Sequence, residues 1–297
     1  MMSNALGWTL VHSLWEGALI ALLLVMALSL VRSSRGRYAL ASIAMIGVLA
    51  TFCGTFARLM TNQPSPYSSI IRPGSHAGYA ASAQGAHMTE RSLAADVIPW
   101  LTPCWIAGVI VFHLHLLASW LAGRRLRRRG VCGAPDVWQE RLSQLARRIR
   151  LAAPVTLLES ALANVPVVLG YLRPVILVPA GLLSGMPAQQ MEAILLHELA
   201  HILRRDYLVN LLQTIVEGFL FYHPAVWWIS GVIRTERENC CDDLVVAISG
   251  EPREYAAALA ALEQTRWATA DAVAANGGNL MKRIRRLLYP LEAPRPC

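Results

Sequence analysis

Three long apolar segments dominate the first half of the chain. Residues 6–31, 38–60 and 99–123 consist almost entirely of hydrophobic side chains. Each segment is long enough to cross a bilayer, for which about 20 residues suffice, so the pattern predicts three transmembrane helices. Residues 61–98, between the second and the third segment, are rich in Ser, Ala, Gly and Pro and lack hydrophobic periodicity. That composition predicts a flexible external loop.

The pattern changes after residue 123. Residues 136–150 have the spacing of an amphipathic helix, and short β-branched runs at 155–158, 167–169 and 175–178 predict a small antiparallel sheet. Helical patterns then begin at prolines 187, 224 and 252, a residue that suits the first turn of a helix. We therefore predict an α+β membrane protein, with a membrane domain at residues 1–123 and a second domain at residues 124–297.

Composition and charge also indicate a membrane protein. Hydrophobic residues make up 55% of the 297 residues, and charged residues make up only 15%. The net charge of +8 comes almost wholly from arginines, which cluster directly after the first apolar segment and at residues 124–129 after the third. Such clusters mark the cytoplasmic ends of membrane helices. We expect a multi-pass protein of the inner (cytoplasmic) membrane, in contact with the lipid bilayer, whose residues 124–297 lie in the cytoplasm.

Two other classes of site are not favoured. The arginines lie at the ends of apolar segments and do not alternate with aromatic residues, so direct nucleic-acid binding is not expected. The six cysteines form no CxxC pair, which argues against a disulfide framework and against a cysteine-rich zinc knuckle.

Candidate chemistry lies in the apolar run of residues 194–203, which contains His197, Glu198 and His201. On a helix the two histidines project from one face, one turn apart, which is the spacing that two ligands of one tetrahedral Zn²⁺ require. Glu198 then lies beside the metal, where a carboxylate can accept a proton from zinc-bound water. This HExxH pattern indicates a hydrolytic zinc site. The alternative is a set of buried polar residues that are hydrogen-bonded to other partners.

A third protein ligand is needed, and Glu238 is the best candidate. Arg234, Glu238 and Asp242 are spaced i, i+4 and i+8, so they form one polar stripe on a helix. Asp242 is placed to hydrogen-bond a ligand histidine and to fix its tautomer. The alternative is a solvated charged face. Asp206 could pair with Arg234 or with an arginine at position 237, but its role does not follow from the pattern.

Several motifs occur in the order found in one family. They are Asn164-Val165-Pro166, the run Gly170 to Pro179, LLHELAHILRRDYLVN, FYHPAVWW and ERENCCDD, in which Glu238, Cys241 and Asp242 match a distal ExxCD. The chain resembles the BlaR/MecR membrane metallopeptidases of antibiotic-sensor signal transduction. The resemblance implies a gluzincin-type zinc endopeptidase with His197, His201 and Glu238 as metal ligands and Glu198 as general base. It also implies cleavage of a cytosolic repressor.

The chain departs from the best-known members of that family, which continue into an external penicillin-binding sensor with an SxxK serine. Lys282 is its only lysine and follows Asn279 in place of the serine, so we expect no sensor domain of that kind. Two alternative functions stay open, a housekeeping membrane protease of the CAAX-processing or heat-shock type and a non-catalytic membrane scaffold with a structural zinc. The substrate, the activating signal and the oligomeric state do not follow from the sequence.

Overall fold

The structure, a computed structural model, describes residues 2–61, 87–128, 130–170, 173–269 and 277–289. Ten helices lie within these residues: α1 Met2–Leu30, α2 Ser34–Thr61, α3 His87–Arg128, α4 Asp136–Arg148, α5 Leu182–Gly185, α6 Ala188–Leu203, α7 Asp206–Phe219, α8 Pro224–Ser249, α9 Pro252–Thr269 and α10 Gly277–Leu288. Four strands accompany them: β1 Val131–Gly133, β2 Thr156–Ser160, β3 Val167–Leu169 and β4 Val175–Pro179.

The three apolar segments of the sequence are long helices. Met2–Leu30, Ser34–Thr61 and Trp100–Arg125 are each long and apolar enough to cross a membrane. Many of their large apolar side chains are exposed, as lipid-facing residues are, including Leu22 and Leu23 on α1. Helix α3 begins at His87, well before residue 99, because residues 90–98 are mostly good helix formers. The rest of the predicted external loop, residues 62–86, lies outside the described residues.

The sheet is mixed, so the prediction of an antiparallel sheet is wrong. Its strand order is β1-β2-β4-β3, with β2 and β4 parallel and the two outer pairs antiparallel. Every residue of β4 is buried, and a continuous apolar strand of this kind takes a central position. After β2 the chain forms β3 at the edge of the sheet and then reverses direction. Strand β4 therefore lies between β2 and β3, antiparallel to β3 and parallel to β2. Strand β1 was not predicted, because its three residues end in glycine and include only one β-branched side chain.

Close contacts divide the chain into two compact units. Unit 1 comprises Met1–Val31, Leu40–Leu114 and Ile215–Ser230, and unit 2 comprises Arg32–Ala39, His115–Thr214 and Gly231–Cys297. Unit 1 thus contains most of the three apolar helices together with residues 215–230, which the sequence boundary at residue 123 assigns to the second domain. Unit 2 contains the sheet and the HExxH helix. The domain boundaries of the sequence analysis stay a prediction.

Within unit 1, the turn between α7 and α8 packs against the apolar helices. The His223 side chain is buried, and its Nε2 donates to the carbonyl oxygen of Ser13 at 2.8 Å. The hydroxyl of Tyr222 forms a 2.7 Å hydrogen bond with the Ser13 hydroxyl. A Cβ at Gly17 would overlap the His223 ring, so glycine is required for this approach. Residues 220–223 are therefore an integral part of unit 1.

Within unit 2, the core lies between the sheet and the helices that surround α6. Met191, Leu195 and Leu199 on α6 are fully buried, because they recur on one side of the helix at a spacing of four residues. They belong to one apolar cluster with Ile176 of β4 and Leu142 of α4, which α8, α9 and α10 complete. The HExxH helix is therefore held on several sides by packed apolar side chains.

Candidate metal centre

Helix α6 brings His197 and His201 together. The helix follows Pro187 and contains neither glycine nor proline, and its two histidines lie one turn apart on the same face. Their rings are almost perpendicular, at 88°, and the two Nε2 atoms are 3.2 Å apart. The predicted pair of adjacent imidazoles is therefore present at this position in the fold.

The Nδ1 atoms of both rings face hydrogen-bond acceptors. Nδ1 of His201 lies 2.8 Å from a carboxylate oxygen of Asp206, which can only accept, so this nitrogen carries the proton. Nδ1 of His197 lies 2.9 Å from the Tyr255 hydroxyl, which itself donates to Asp242 at 2.6 Å. When both rings are neutral, each Nε2 is left with a lone pair, and the two lone pairs converge. At 3.2 Å the two nitrogens can share a proton or bind one cation.

Glu238 on α8 completes this group. Its carboxylate oxygens lie 3.4 Å from Nε2 of His197 and 3.8 Å from Nε2 of His201. Three ligands of a tetrahedral Zn²⁺, each about 2.0–2.1 Å from the metal, lie about 3.3–3.5 Å from one another. The three donors therefore fit a zinc ion with little rearrangement. Within the described residues no fourth protein ligand joins this group, which leaves one coordination position for water or substrate.

The charges around this point favour a cation. Burial alone would lower the pKa of His197, but its contacts with Asp242 and Glu238 raise the pKa to about 9. Burial would raise the pKa of Glu238, but His197, His201 and Arg283 outweigh it and lower the pKa to about 2. Burial acts in the same way on Asp242, where His197 and Arg283 hold the pKa of the carboxyl well below its usual range. Both carboxylates are therefore ionised at neutral pH.

Tyr255 and Arg283 join the predicted residue Asp242 behind His197. Asp242 is fully buried and accepts two hydrogen bonds from the Arg283 guanidinium, at 2.6 and 2.8 Å. Its oxygen is 3.4 Å from Nδ1 of His197, farther than the Tyr255 hydroxyl, so the tyrosine mediates most of the contact. Burial and the neighbouring Asp242 raise the pKa of Tyr255 well above its usual value, which keeps the hydroxyl protonated. The two carboxylates, the tyrosine and the arginine form one connected network.

Asp206, whose role did not follow from the sequence, lies behind His201. Its carboxylate contacts the His201 ring and the Arg204 guanidinium, which is 3.3 Å away, because the turn after α6 directs it back toward that helix. The Cys241 thiol lies 3.6 Å from the same carboxylate. Burial and the neighbouring Asp206 raise the pKa of Cys241 well above its usual value, so this side chain is a protonated thiol at neutral pH.

A cleft of about 320 Å³ opens over the three donors. Glu198 lines it next to the histidines, and within the described residues its carboxylate has no hydrogen-bond or ion-pair partner. Val167 and Val168 of the edge strand β3 line the cleft together with Ile194, Leu259 and Leu262. An extended peptide could therefore pass between an open strand edge and the HExxH helix.

Sequence patterns did not reveal every residue of this site. Tyr255 lies in an alanine-rich helix without a distinguishing motif, and Arg283 lies in a short basic helix that has the composition of a surface element. Only the packing of α9 and α10 brings them to Asp242. Helix α10 carries four basic residues. The sequence could not show that Arg283 is the one that contacts Asp242, because it does not reveal which face of this helix points inward.

Comparison with known proteins identifies the family. The profile of the BlaR1 peptidase M56 family matches residues 9–287. The chain belongs to the M56 peptidase family. This confirms the resemblance to BlaR/MecR proteins, since the description of the family names BlaR1.

Three relatives illustrate the extent of the similarity. The chain is 31% identical to the regulatory protein BlaR1 of Bacillus licheniformis over 142 residues, 48% of this chain and 24% of that protein. It is 27% identical to the methicillin resistance mecR1 protein of Staphylococcus aureus over 94 residues, 32% of this chain and 16% of that protein. It is also 28% identical to a protease HtpX homolog of Chlorobium phaeobacteroides over 192 residues, 54% of this chain and 65% of that protein.

The matched segments thus span a quarter or less of the two regulatory relatives and about two thirds of the HtpX homolog. Most of BlaR1 and of mecR1 thus lies outside the matched segments.

Proposed function

We propose that this M56 protein is a membrane-bound, zinc-dependent endopeptidase. The observation that carries the proposal is the convergence of the Nε2 atoms of His197 and His201 and the carboxylate of Glu238, at separations of 3.2 to 3.8 Å. All three donors face a cleft that an extended peptide can enter, and Glu198 lines the same cleft.

The roles of the residues follow from this geometry. His197, His201 and Glu238 hold the zinc, which when bound supplies a Lewis acid for the scissile carbonyl. The Glu198 carboxylate accepts a proton from the attacking water and delivers it to the nitrogen of the leaving amine. Tyr255 and Asp242 keep the Nδ1 proton of His197 in place, so that Nε2 remains a ligand. Arg283 forms ion pairs with both Asp242 and Glu238 and so offsets part of their negative charge.

The substrate is held in an extended conformation. Strand β3 is an edge strand of the sheet and lines the cleft, so its outer side can accept the main chain of a peptide as an added strand. Apolar side chains of Ile194, Leu259 and Leu262 lie in the same cleft, where they favour apolar side chains of the substrate.

The proposal is tested with the Glu198→Gln variant of the full chain in detergent. The variant should bind zinc as the wild type does, because Glu198 is not a ligand, but should cleave casein at least about 100-fold more slowly, because the general base is lost. Glu192→Gln is the matched control, since Glu192 lies on the same helix and pairs with Arg141 away from the cleft. Undiminished cleavage by Glu198→Gln would refute the assignment of Glu198 as the general base.

A metal-binding measurement separates this proposal from a non-catalytic scaffold. A hydroxamate needs an exchangeable coordination position, which a structural zinc with four protein ligands lacks. We expect a hydroxamate to bind the zinc-loaded protein and not the protein treated with a chelator. A zinc-loaded protein that binds no hydroxamate would support the scaffold.

The substrate that we favour is a cytosolic regulator of the repressor type, because the chain resembles a protein that is itself named a regulatory protein. Similarity to the HtpX homolog supports a second candidate, a housekeeping protease. New protein N-termini in cells that express the wild type, but not Glu198→Gln, distinguish the two. A regulatory protease yields one or a few soluble targets, whereas a housekeeping protease yields many membrane proteins.

The location that we propose is the cytoplasmic membrane, with residues 124–297 on its cytoplasmic side. Support comes from the arginine clusters after the first and third apolar segments. In this orientation the cleft is accessible to soluble cytosolic proteins.

A further inference from the structure

We propose that Asp206 is the positioning residue of His201, and that it sets the zinc affinity of the site by fixing the orientation and tautomer of that ring. This inference rests on the proposed function, because it assigns Asp206 a role toward the same metal. Asp206 belongs to neither the HExxH pattern nor the polar stripe of α8.

The contact between the two side chains is direct. Oδ2 of Asp206 lies 2.8 Å from Nδ1 of His201, and Asp206 is only 5% exposed. A buried carboxylate accepts this hydrogen bond without competition from bulk water. The bond places the proton on Nδ1 and directs the lone pair of Nε2 toward His197 and Glu238. Without it the ring could rotate or exchange its tautomer, and in either case one donor of the group would be lost.

The backbone is strained at the position that makes this contact possible. Helix α6 ends at Leu203, and Arg205 adopts a left-handed conformation with φ 55° before α7 begins at Asp206. Glycine usually occupies such a position, and another residue costs about 1 kcal/mol there. The reversal lets Asp206 begin a new helix and point back at His201, one turn before the end of α6. A strained turn at this point is consistent with a requirement for that contact.

The other neighbours of Asp206 hold the carboxylate still. Arg204 donates through Nε at 3.3 Å and the Tyr38 hydroxyl at 3.5 Å, both to the oxygen that does not contact His201. The Cys241 thiol lies 3.6 Å from the oxygen that does. Each of these three groups donates to the carboxylate in this arrangement. The orientation of His201 is then determined by a carboxylate that is itself fixed from three sides.

A purely structural ion pair between Asp206 and Arg204 is the competing explanation. Glu236 offers a matched comparison for it, because it is also 5% exposed and pairs with an arginine, Arg37, at 2.6 Å. Its other oxygen accepts a hydrogen bond from Asn239, and neither oxygen contacts His197 or His201. Loss of the Glu236 charge therefore removes a buried ion pair without removing a partner of a zinc ligand.

The test measures zinc affinity of the full chain in detergent, by competition with a chromophoric chelator. Asp206→Asn should weaken zinc binding by about 10- to 100-fold, the usual effect of removing a partner of a ligand histidine. Its Co²⁺-substituted form should also show an altered visible absorption spectrum. Glu236→Gln should retain both the affinity and the spectrum of the wild type. Asp206→Glu keeps the charge but displaces the carboxylate by one methylene group, so it should also bind zinc more weakly.

The outcomes are distinct. Wild-type zinc affinity in both Asp206 variants, or an equal loss in Glu236→Gln, would overturn the positioning role while leaving the proposed function intact. If Asp206→Asn fails to fold, Asp206→Glu decides alone, because an ion pair with Arg204 would preserve its affinity and a positioning role would not. A wild-type chain that binds no zinc would overturn the proposed function and this inference together.

Discussion

Tyr255→Phe tests the network behind His197 with the smallest possible change. The side chain is fully buried, and its hydroxyl contacts Nδ1 of His197 at 2.9 Å, Asp242 at 2.6 Å and Arg283 at 3.3 Å. The variant removes one oxygen atom and retains the ring. Three hydrogen bonds are lost at once, but the three partners keep different numbers of other contacts.

The magnitude follows from those partners. Asp242 keeps both bonds from Arg283, and His197 keeps a weaker contact with Asp242 at 3.4 Å, so neither is left wholly unpaired. A hydrogen bond to a charged group contributes about 1.5–3 kcal/mol, and the retained contacts offset part of the loss. We expect the zinc-free protein to be destabilised by about 2 kcal/mol. For a unit of this size that corresponds to a fall of about 4–8 °C in melting temperature.

The assay compares thermal unfolding of the variant and the wild type in detergent, each with a chelator and with excess zinc. Zinc affinity should fall by about 10-fold, because the Nδ1 proton of His197 is held less firmly. Tyr289→Phe is the control, since Tyr289 is 76% exposed and should change neither quantity. An unchanged melting temperature together with unchanged zinc affinity in Tyr255→Phe would refute the network.

Two further predictions concern substrate binding and orientation. A hydroxamate linked to a short apolar peptide should inhibit peptide cleavage more strongly than its backbone N-methylated counterpart, because N-methylation removes donors for the carbonyl groups of β3. Equal inhibition would mean that the peptide does not pair with this strand. Cys132 is exposed on β1, so a variant that retains Cys132 alone should resist an impermeant maleimide in intact cells and react once the membrane is broken. A single cysteine at Ser82 should behave in the opposite way, and labelling of Cys132 in intact cells would reverse the orientation.

Local spacing was sufficient to predict which candidate ligands share a helix face, because each pair lies within one helix. His197 and His201 are one turn apart on α6, and Glu238 and Asp242 are one turn apart on α8. The period of a helix therefore determines which side chains share a face. Spacing could not show that α6 and α8 meet at those faces; the resemblance to a family supplied that step. The assignment of roles to these residues stays a prediction until activity and metal binding are measured.

Features that depend on distant packing were not predictable. Tyr255 and Arg283 reach Asp242 only because α9 packs against α6 and α10 packs against α9. The sheet was predicted as antiparallel since its strands follow one another closely, yet the buried strand β4 takes the central position. The role of Asp206 could not be derived, because the left-handed turn at Arg205 that directs it to His201 has no signal in the sequence.

The length of strand β3 has a consequence for solubility. An unpaired strand edge is a template for any extended chain, including a strand of another copy of the same protein, and long apolar edges promote aggregation. Strand β3 has only three residues, Val167–Leu169, so a partner strand can form few main-chain hydrogen bonds with it. At about 0.5–1.5 kcal/mol each, these bonds are too weak to hold two copies together. A short edge strand can therefore bind a peptide transiently but does not support stable association of two copies of the protein.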